Sequence, residues 1–458
     1  MKFVYLSLLV FALGCAGTKE NSGTESLTVS NNSRFLVDGE GNPFFWLGDT
    51  GWLLFSKLTK EEAELYLQDR KDKGFNVIQV MVLHMLKATN AYGDSALVNG
   101  DVGKPNLTAR TAGDALGYWE YVDYVVNLAE QKGLYMALVP VWGTNVKEGG
   151  VSPQQAEAYA RFLANRYKTY SNVIWLNGGD IRGDDSTMVW QTLGRTLRET
   201  NPDKLITFHP RGRTSSTDWF HAEAWLDFNM FQSGHRRYDQ DTSSNEKHHH
   251  GEDNWRYAAY DYSLDPVKPT IDGEPSYEGI PQGLHDTTQP VWTDADMRRY
   301  AYWSVFAGAF GFTYGHNSVM QMHSATDTTT AYGSDELWTS AIHAPGANQM
   351  QHLKKLMLSR PFLERVPDQT LLASNGEKYA YRMGTRGDTY AFIYAYNGGD
   401  IHVNLGSIAG EKVKASWFDP RTGNTEVIGE FENQETRTFR TPEAEGDGND
   451  WVLILDTV

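Results

Sequence analysis

The sequence predicts an α/β chain in which a (β/α)8 TIM barrel is followed by a small antiparallel β-sandwich. From about residue 44 to 358, short apolar β-like runs alternate with longer segments of helical period. Eight such runs occur, the number a closed barrel needs. After "SRPFLERVPD" (359–368) the pattern switches to short alternating strands separated by Gly, Asn and Asp turns, as in a sandwich.

The predicted barrel strands are Phe44–Gly48, Val77–Leu83, Tyr135–Trp142, Val173–Leu176, Leu205–His209, Phe228–Gln232, Thr270–Gly273 and Phe310–Tyr314. They are apolar on both faces, which implies a parallel sheet covered by helices. Helices are expected over 59–74, with Thr59 and Glu62 as a capping box, and over 152–170, with Ser152 as N-cap and Pro153 at the first helical position. The stretches "YAYRMG", "TYAFIYAYNG", "VKASWFDPRTG" and "WVLILDT" are the sandwich strands. The chain divides into 1–30 as export signal and tether, 31–360 as barrel, and 361–458 as sandwich. An open doubly wound sheet is the other architecture, but no glycine fingerprint follows the first strand.

The N-terminus reads as a targeting segment. Lys2 is followed by an apolar run, Phe3 to Leu13, too short to span a bilayer, and then by "ALGCAG". Cys15 is the only cysteine, so an internal disulfide is excluded. A lone Cys after Gly at the end of such a segment resembles a bacterial lipoprotein cleavage site. The expectation is lipidation at Cys15 and residence in the periplasm or on the outer membrane of a Gram-negative bacterium. A plain cleaved signal peptide is the alternative. Residues 16–30, polar and Gly-containing, would be a flexible tether.

Composition excludes several classes. The formal charge of −17 argues against nucleic acid, which needs a basic surface. There is no phosphate loop, no H-E-x-x-H and no G-x-S-x-G elbow. "HHH" at 248–250 looks like metal chemistry, yet three adjacent loop residues cannot all face one ion without distortion, so no metal is expected. The 14 Trp, 24 Tyr and 20 Phe hint at sugar rings, whose faces stack on aromatics.

In barrels the active site lies where strands end. Those ends here offer Asp49 and Trp52, then His84, then Trp142, then Asn177 and Asp180. The later strands offer His209 and Arg211; Gln232, Ser233 and His235; Asp272, Glu274 and Glu278; and Tyr314, His316 and Asn317. Cleaving a glycosidic bond needs one protonated and one ionised carboxyl on opposite sides of the anomeric carbon. Asp180 and Glu274, from strands across the barrel, are the best pair. Trp52 and Trp142 would stack on sugar. Asp49, His84, Asn177, His209, Arg211, Gln232 and His316 would bind hydroxyls.

Simpler readings stand beside these. Asp180 could cap a helix starting near Asp185, Glu274 could be a loop acid or an arginine's partner, and Asp49 could be a structural cap. Asp272 and Glu278 read as supporting groups, and single histidines as structural ones.

The stretches "FFWLGDTGWLLFSKLTKEEAELYLQDRKDKGFNVIQV", "NVIWLNGGD" and "PTIDGEPSYEGI" resemble the apiosidase-like catalytic domain family, to which glycoside hydrolase family 140 belongs. The C-terminal stretch with "WFDPRTG" is similar to the collagen-binding-type β-domain that follows it. The resemblance implies a retaining glycosidase that releases apiose-linked side chains from the pectin rhamnogalacturonan II. Asp180 would be acid/base and Glu274 nucleophile. Many barrel glycosidases place Asn-Glu at strand four, whereas here an Asp follows Asn-Gly-Gly, as in the apiosidase-like pattern. No cofactor or nucleic acid is expected, and a membrane only through the N-terminal lipid anchor; the partner is a plant cell-wall polysaccharide or oligosaccharide bound by a monomer. A glycosidase of other specificity, a non-catalytic glycan-binding lipoprotein and a matrix adhesin are the alternatives.

Overall fold

The computed structural model describes residues 23–108, 115–244 and 247–458. Cys15 and the apolar run before it lie outside the described residues. Eight parallel strands build the barrel: β1 (Trp46–Thr50), β2 (Val77–Met81), β3 (Tyr135–Val139), β4 (Val173–Ile181), β5 (Ile206–Pro210), β6 (Asn229–Gln232), β7 (Thr270–Asp272) and β8 (Gly311–Tyr314). Their order in the sheet is β5-β4-β3-β2-β1-β8-β7-β6. Between β5 and β6 the ring closes by the Asp227 amide donating to the Ile206 carbonyl (2.9 Å) and the Thr207 hydroxyl to the Phe228 carbonyl (2.6 Å).

Each predicted strand has its counterpart, and the first is displaced by two residues. Pro43–Phe44 pairs instead with Leu36–Val37, in a three-stranded sheet that also takes Thr28–Val29. Over the described part of the expected tether, 23–30, that sheet is a correction as well; 16–22 lie outside the described residues. Leu27 is buried, the Glu25 carbonyl accepts from the Tyr135 hydroxyl (2.6 Å), and the Thr24 carbonyl accepts from Ser171 (2.6 Å). One apolar side chain and a few backbone hydrogen bonds suffice to lay 24–29 against the barrel.

Alternate residues of a strand enter different cores, as a doubly covered sheet requires. Along β3, Tyr135, Ala137 and Val139 join one cluster, and Met136 and Leu138 the other. Ile174 and Leu176 of β4 divide from Val173 and Trp175 in the same way. The helix Lys60–Asp72 carries both halves of the capping box between Thr59 and Glu62. Pro153–Arg166 starts at Ser152 with Pro first, and ends earlier than expected. One βα unit departs from the pattern. After β5 there is only a single turn, Ser216–Asp218, and Thr214–Ser215 turns back to pair antiparallel with β6. Asp261, buried on the next helix (Trp255–Tyr262), accepts from the hydroxyls of Ser215, Thr217 and Thr270 and fixes that irregular corner.

The C-terminal region forms a six-stranded and a two-stranded antiparallel sheet. On its strand Tyr390–Ala395, Ala391, Ile393 and Ala395 face the sandwich core. Tyr390, Phe392 and Tyr394 join the barrel's cluster instead, and Tyr394 stacks on Tyr302 of the barrel helix Asp294–Phe306 at 4.7 Å. Arg298 of that helix meets Asp450 with Nε 2.9 Å from Oδ2, both side chains being buried. The Arg365 guanidinium donates to the carbonyls of Val305 and Ala309, at the helix end where the dipole favours a cation.

Removing one partner of a buried ion pair strands the other charge, at a cost of about 3–5 kcal/mol. Arg298→Leu should therefore lower stability by that amount in urea unfolding, with Asp450 left uncompensated; an unchanged midpoint would show that Asp450 is neutral.

Candidate active site

Strand β4 reaches the site through a bulge. Gly178 pairs with His209, but the next partnered residue, Ile181, pairs with Pro210, so Gly179 and Asp180 oppose nothing. Gly178, Gly179 and Asp180 have φ of 91°, 113° and 47°. A Cβ at 178 would lie 2.6 Å from the His209 carbonyl oxygen, and one at 179 only 2.7 Å from the Trp142 ring. Both positions thus require glycine, and Asp tolerates the left-handed region better than most residues. The helix after β4 is Thr187–Thr200 with Ser186 before it, so Asp180 caps no helix.

The Asp180 amide donates to Nδ1 of His209 at 3.2 Å. With Nδ1 occupied as an acceptor, the imidazole proton sits on Nε2. Nε2 stands 3.2 Å from Oε2 of Glu274, just beyond β7. The other Glu274 oxygen, Oε1, lies 3.3 Å from Nε2 of His235. Glu274 is therefore held by two imidazoles, not by an arginine.

The two carboxyls are driven in opposite directions. Burial pushes Glu274 up, but the two imidazole N–H groups of His209 and His235 facing it outweigh that and hold its pKa at about 2. Asp180 is exposed to the cavity. Desolvation by the protein around it, with the charge of Glu274, raises its pKa to about 6, against the opposing pull of the Gly212 amide and Arg211.

Both acids line a cavity of about 470 Å³ with Trp52, Trp142, Arg211 and Gln232. The two tryptophan rings lie 5.3 Å apart, and the Trp52 ring meets His209 edge-on at 5.3 Å. His209 sits behind Glu274 and is not part of the wall.

Four more of the expected hydroxyl-binding residues, besides His209, are not in the cavity wall. Asp49 is fully buried, accepting from Tyr66 (2.6 Å) and paired with Arg70 (3.4 Å). The pleat of β1 turns it outward, onto the helix Lys60–Asp72 that carries both partners. Asn177 donates to the Trp190 carbonyl (2.8 Å) and accepts from Gly178, so its amide braces the turn. His84 is bound to Ser56 (2.9 Å), and His316 accepts from the Ser318 amide to cap a short helix. Asp272 and Glu278 are supporting groups: Ser233 and Asn254 donate to the first, Tyr314 and the Gly346 amide to the second. In the triple histidine His249 turns toward Asp241, whereas His248 and His250 stack on each other at 5.4 Å, His248 also reaching Asp218 and His250 packing on Tyr257.

Tyr277, Arg213, Arg236 and Tyr332 also line the cavity without having been expected there, and His235, offered at a strand end but given no role, lines it too. His235 was readable, three residues beyond Gln232. Tyr332 was not, since it arrives from a loop 18 residues after Tyr314.

A parallel barrel carrying two carboxyls and paired tryptophans in one cavity at its mouth is the frame of a carbohydrate-cleaving enzyme, a glycoside hydrolase, and the substrate is a carbohydrate. The chain belongs to the apiosidase-like family: residues 30–364 match the model described as "Apiosidase-like, catalytic domain". Residues 366–456 match "Putative collagen-binding domain of a collagenase". A solved structure named "Glycoside hydrolase" is 46 % identical, covers 94 % of this chain and 97 % of its own, and superposes with a TM-score of 0.91. A glycoside hydrolase family 5 structure from Bacteroides vulgatus is 44 % identical, with coverages of 94 % and 93 % and the same TM-score, 0.91. No curated protein matches significantly.

If the charge of Glu274 raises Asp180, neutralising it must make Asp180 more acidic. In Glu274→Gln, carboxyl NMR should show Asp180 titrating below about 6; an unmoved titration would leave desolvation as the sole cause.

Proposed function

We propose that this glycoside hydrolase is a retaining enzyme of the pectin rhamnogalacturonan II, releasing apiose-linked side chains, with Asp180 as acid/base and Glu274 as nucleophile. The observation that supports this best is the opposite displacement of the two carboxyl pKa values within one cavity. Glu274, kept ionised, attacks the anomeric carbon while the bond to the leaving oxygen breaks and Asp180 gives that oxygen its proton. Asp180, now a carboxylate, then takes a proton from water. The water oxygen bonds to the anomeric carbon, and the bond to Glu274 breaks. Trp52 and Trp142 supply apolar faces for the ring, and Arg211 and Gln232 supply donors for its oxygens. Family membership and the "NVIWLNGGD" and "PTIDGEPSYEGI" motifs support the sugar and the roles; the segment ending at Cys15 supports export and lipid anchoring.

Product analysis on purified rhamnogalacturonan II tests this. Wild type should release apiose-terminated oligosaccharide with retained anomeric configuration. Asp180→Asn should lose about 10²–10⁴ in rate, the worth of a positioned general acid, and Glu274→Gln should give no turnover. Release by none of the three would reassign the sugar, and inversion would reject Glu274 as nucleophile. The pH profile follows from the same pair. Activity needs Asp180 protonated, so it should fall as pH rises through about 6, and it needs Glu274 ionised, so it should fall only as pH drops toward about 2. A basic limb well above pH 8 would exclude Asp180 as the acid.

A further inference from the structure

A second cavity, of about 440 Å³, lies where the C-terminal domain meets the barrel mouth, and its size is within the range of ligand sites. The barrel contributes Asp241, His249 and Arg256, and the C-terminal domain contributes Glu377, Lys378 and Tyr381. The two cavities share structure. His235 and Arg236 line the catalytic one, and the same loop reaches the second at Tyr238. Arg213, in the catalytic wall, has Nε 3.4 Å from Oδ1 of Asp241 in the second.

The junction is firmly built. Tyr379 donates to Glu252 at 2.9 Å, and Tyr381 stacks on Trp255 at 4.3 Å with the rings 2° from parallel. Arg256 covers Trp255 at 4.5 Å, and Lys378 lies 5.1 Å from the centre of the Tyr238 ring. With those aromatic faces occupied, a ligand here would be read by hydrogen bonds. Carboxylates (Asp241, Asp253, Glu377) and cationic donors (Arg256, Lys378) are both present, with no large excess of either sign. Such a lining suits uncharged hydroxyl-rich groups better than a polyanion, because each hydroxyl both donates and accepts.

We propose that this cavity is a second glycan subsite, binding neutral sugar residues of the same substrate whose glycosidic bond lies between Asp180 and Glu274. It rests on the glycosidase roles given above, and it assigns the C-terminal domain a part in holding substrate. A substrate long enough to reach over the 235–238 loop would engage both cavities; a short one would engage only the first.

The test is the full-length double variant His249→Ala/Glu377→Ala, both residues being exposed and outside the catalytic cavity. On rhamnogalacturonan II, KM should rise about tenfold, as for the loss of one or two hydrogen bonds, with kcat unchanged. On the shortest fragment of it that wild type cleaves, both constants should stay at wild-type values. Equal KM values for variant and wild type on the polysaccharide would overturn the subsite, as would an equal rise on the fragment. Retention in a rhamnogalacturonan II affinity gel, measured in the Asp180→Asn background, separates the two claims. Retention weakened by the double substitution, with wild type cleaving nothing, would keep the subsite and reject the catalytic reading. Wild-type turnover with retention unaffected, or no retention at all, would reject the subsite.

Discussion

The hydrogen bond from the Asp180 amide to His209 Nδ1 is the contact on which the site's electrostatics depend. It forms only because β4 bulges by two residues before its last ladder pair. Its consequence lies on the far side of the imidazole, where the N–H must be on Nε2, 3.2 Å from Glu274 Oε2. The backbone turn that aims one carboxyl thus sets the tautomer that keeps the other ionised. Any shift of residues 178–180 would change both acids at once, so their pKa values belong to a coupled unit.

The surroundings are organised to hold that turn. Trp142 packs against Gly179, Trp52 packs on Trp142 and His209, and Asn177 ties the strand end to the Trp190 carbonyl. The irregular β5–β6 corner has a place in this scheme. With no helix between the strands, 211–213 can run along the cavity, where the Gly212 amide serves Asp180 and Arg211 and Arg213 form wall. Asp261 then replaces the missing helix as the brace, through three hydroxyl contacts.

The architecture was legible because it rests on periodicity. Eight runs apolar on both faces, helix starts signalled by a capping box at Thr59 and by Ser152-Pro153, and the later alternation of Tyr390–Ala395 are all readable in the sequence. Asp180, Glu274, Trp52, Trp142, Arg211 and Gln232 could be placed at the cavity because strand ends in a barrel converge. Asp49 could not be resolved that way. Its position after β1 is the same on either reading, and only the pleat, together with Tyr66 and Arg70 four residues apart on a helix, decides that it points away. The short sheet at 28–44 escaped notice because two-residue strands carry no period at all.

The acid at β4 is also explained by the bulge. An aspartate carboxyl is one methylene shorter in reach than a glutamate carboxyl, and the preceding Asn177 is turned away from the cavity, onto the Trp190 carbonyl. Residues 178 and 181 face the adjacent residues 209 and 210, so the two unpaired residues loop out of the ladder, with positive φ at three successive positions, and Asp180 joins the cavity wall. The backbone therefore supplies the reach that the side chain lacks. It also stiffens the result, because an aspartate has one fewer rotatable bond to immobilise than a glutamate. The two glycines that interrupt a buried strand are what allow a short carboxyl to share the cavity with Glu274, its amide still bonded to His209.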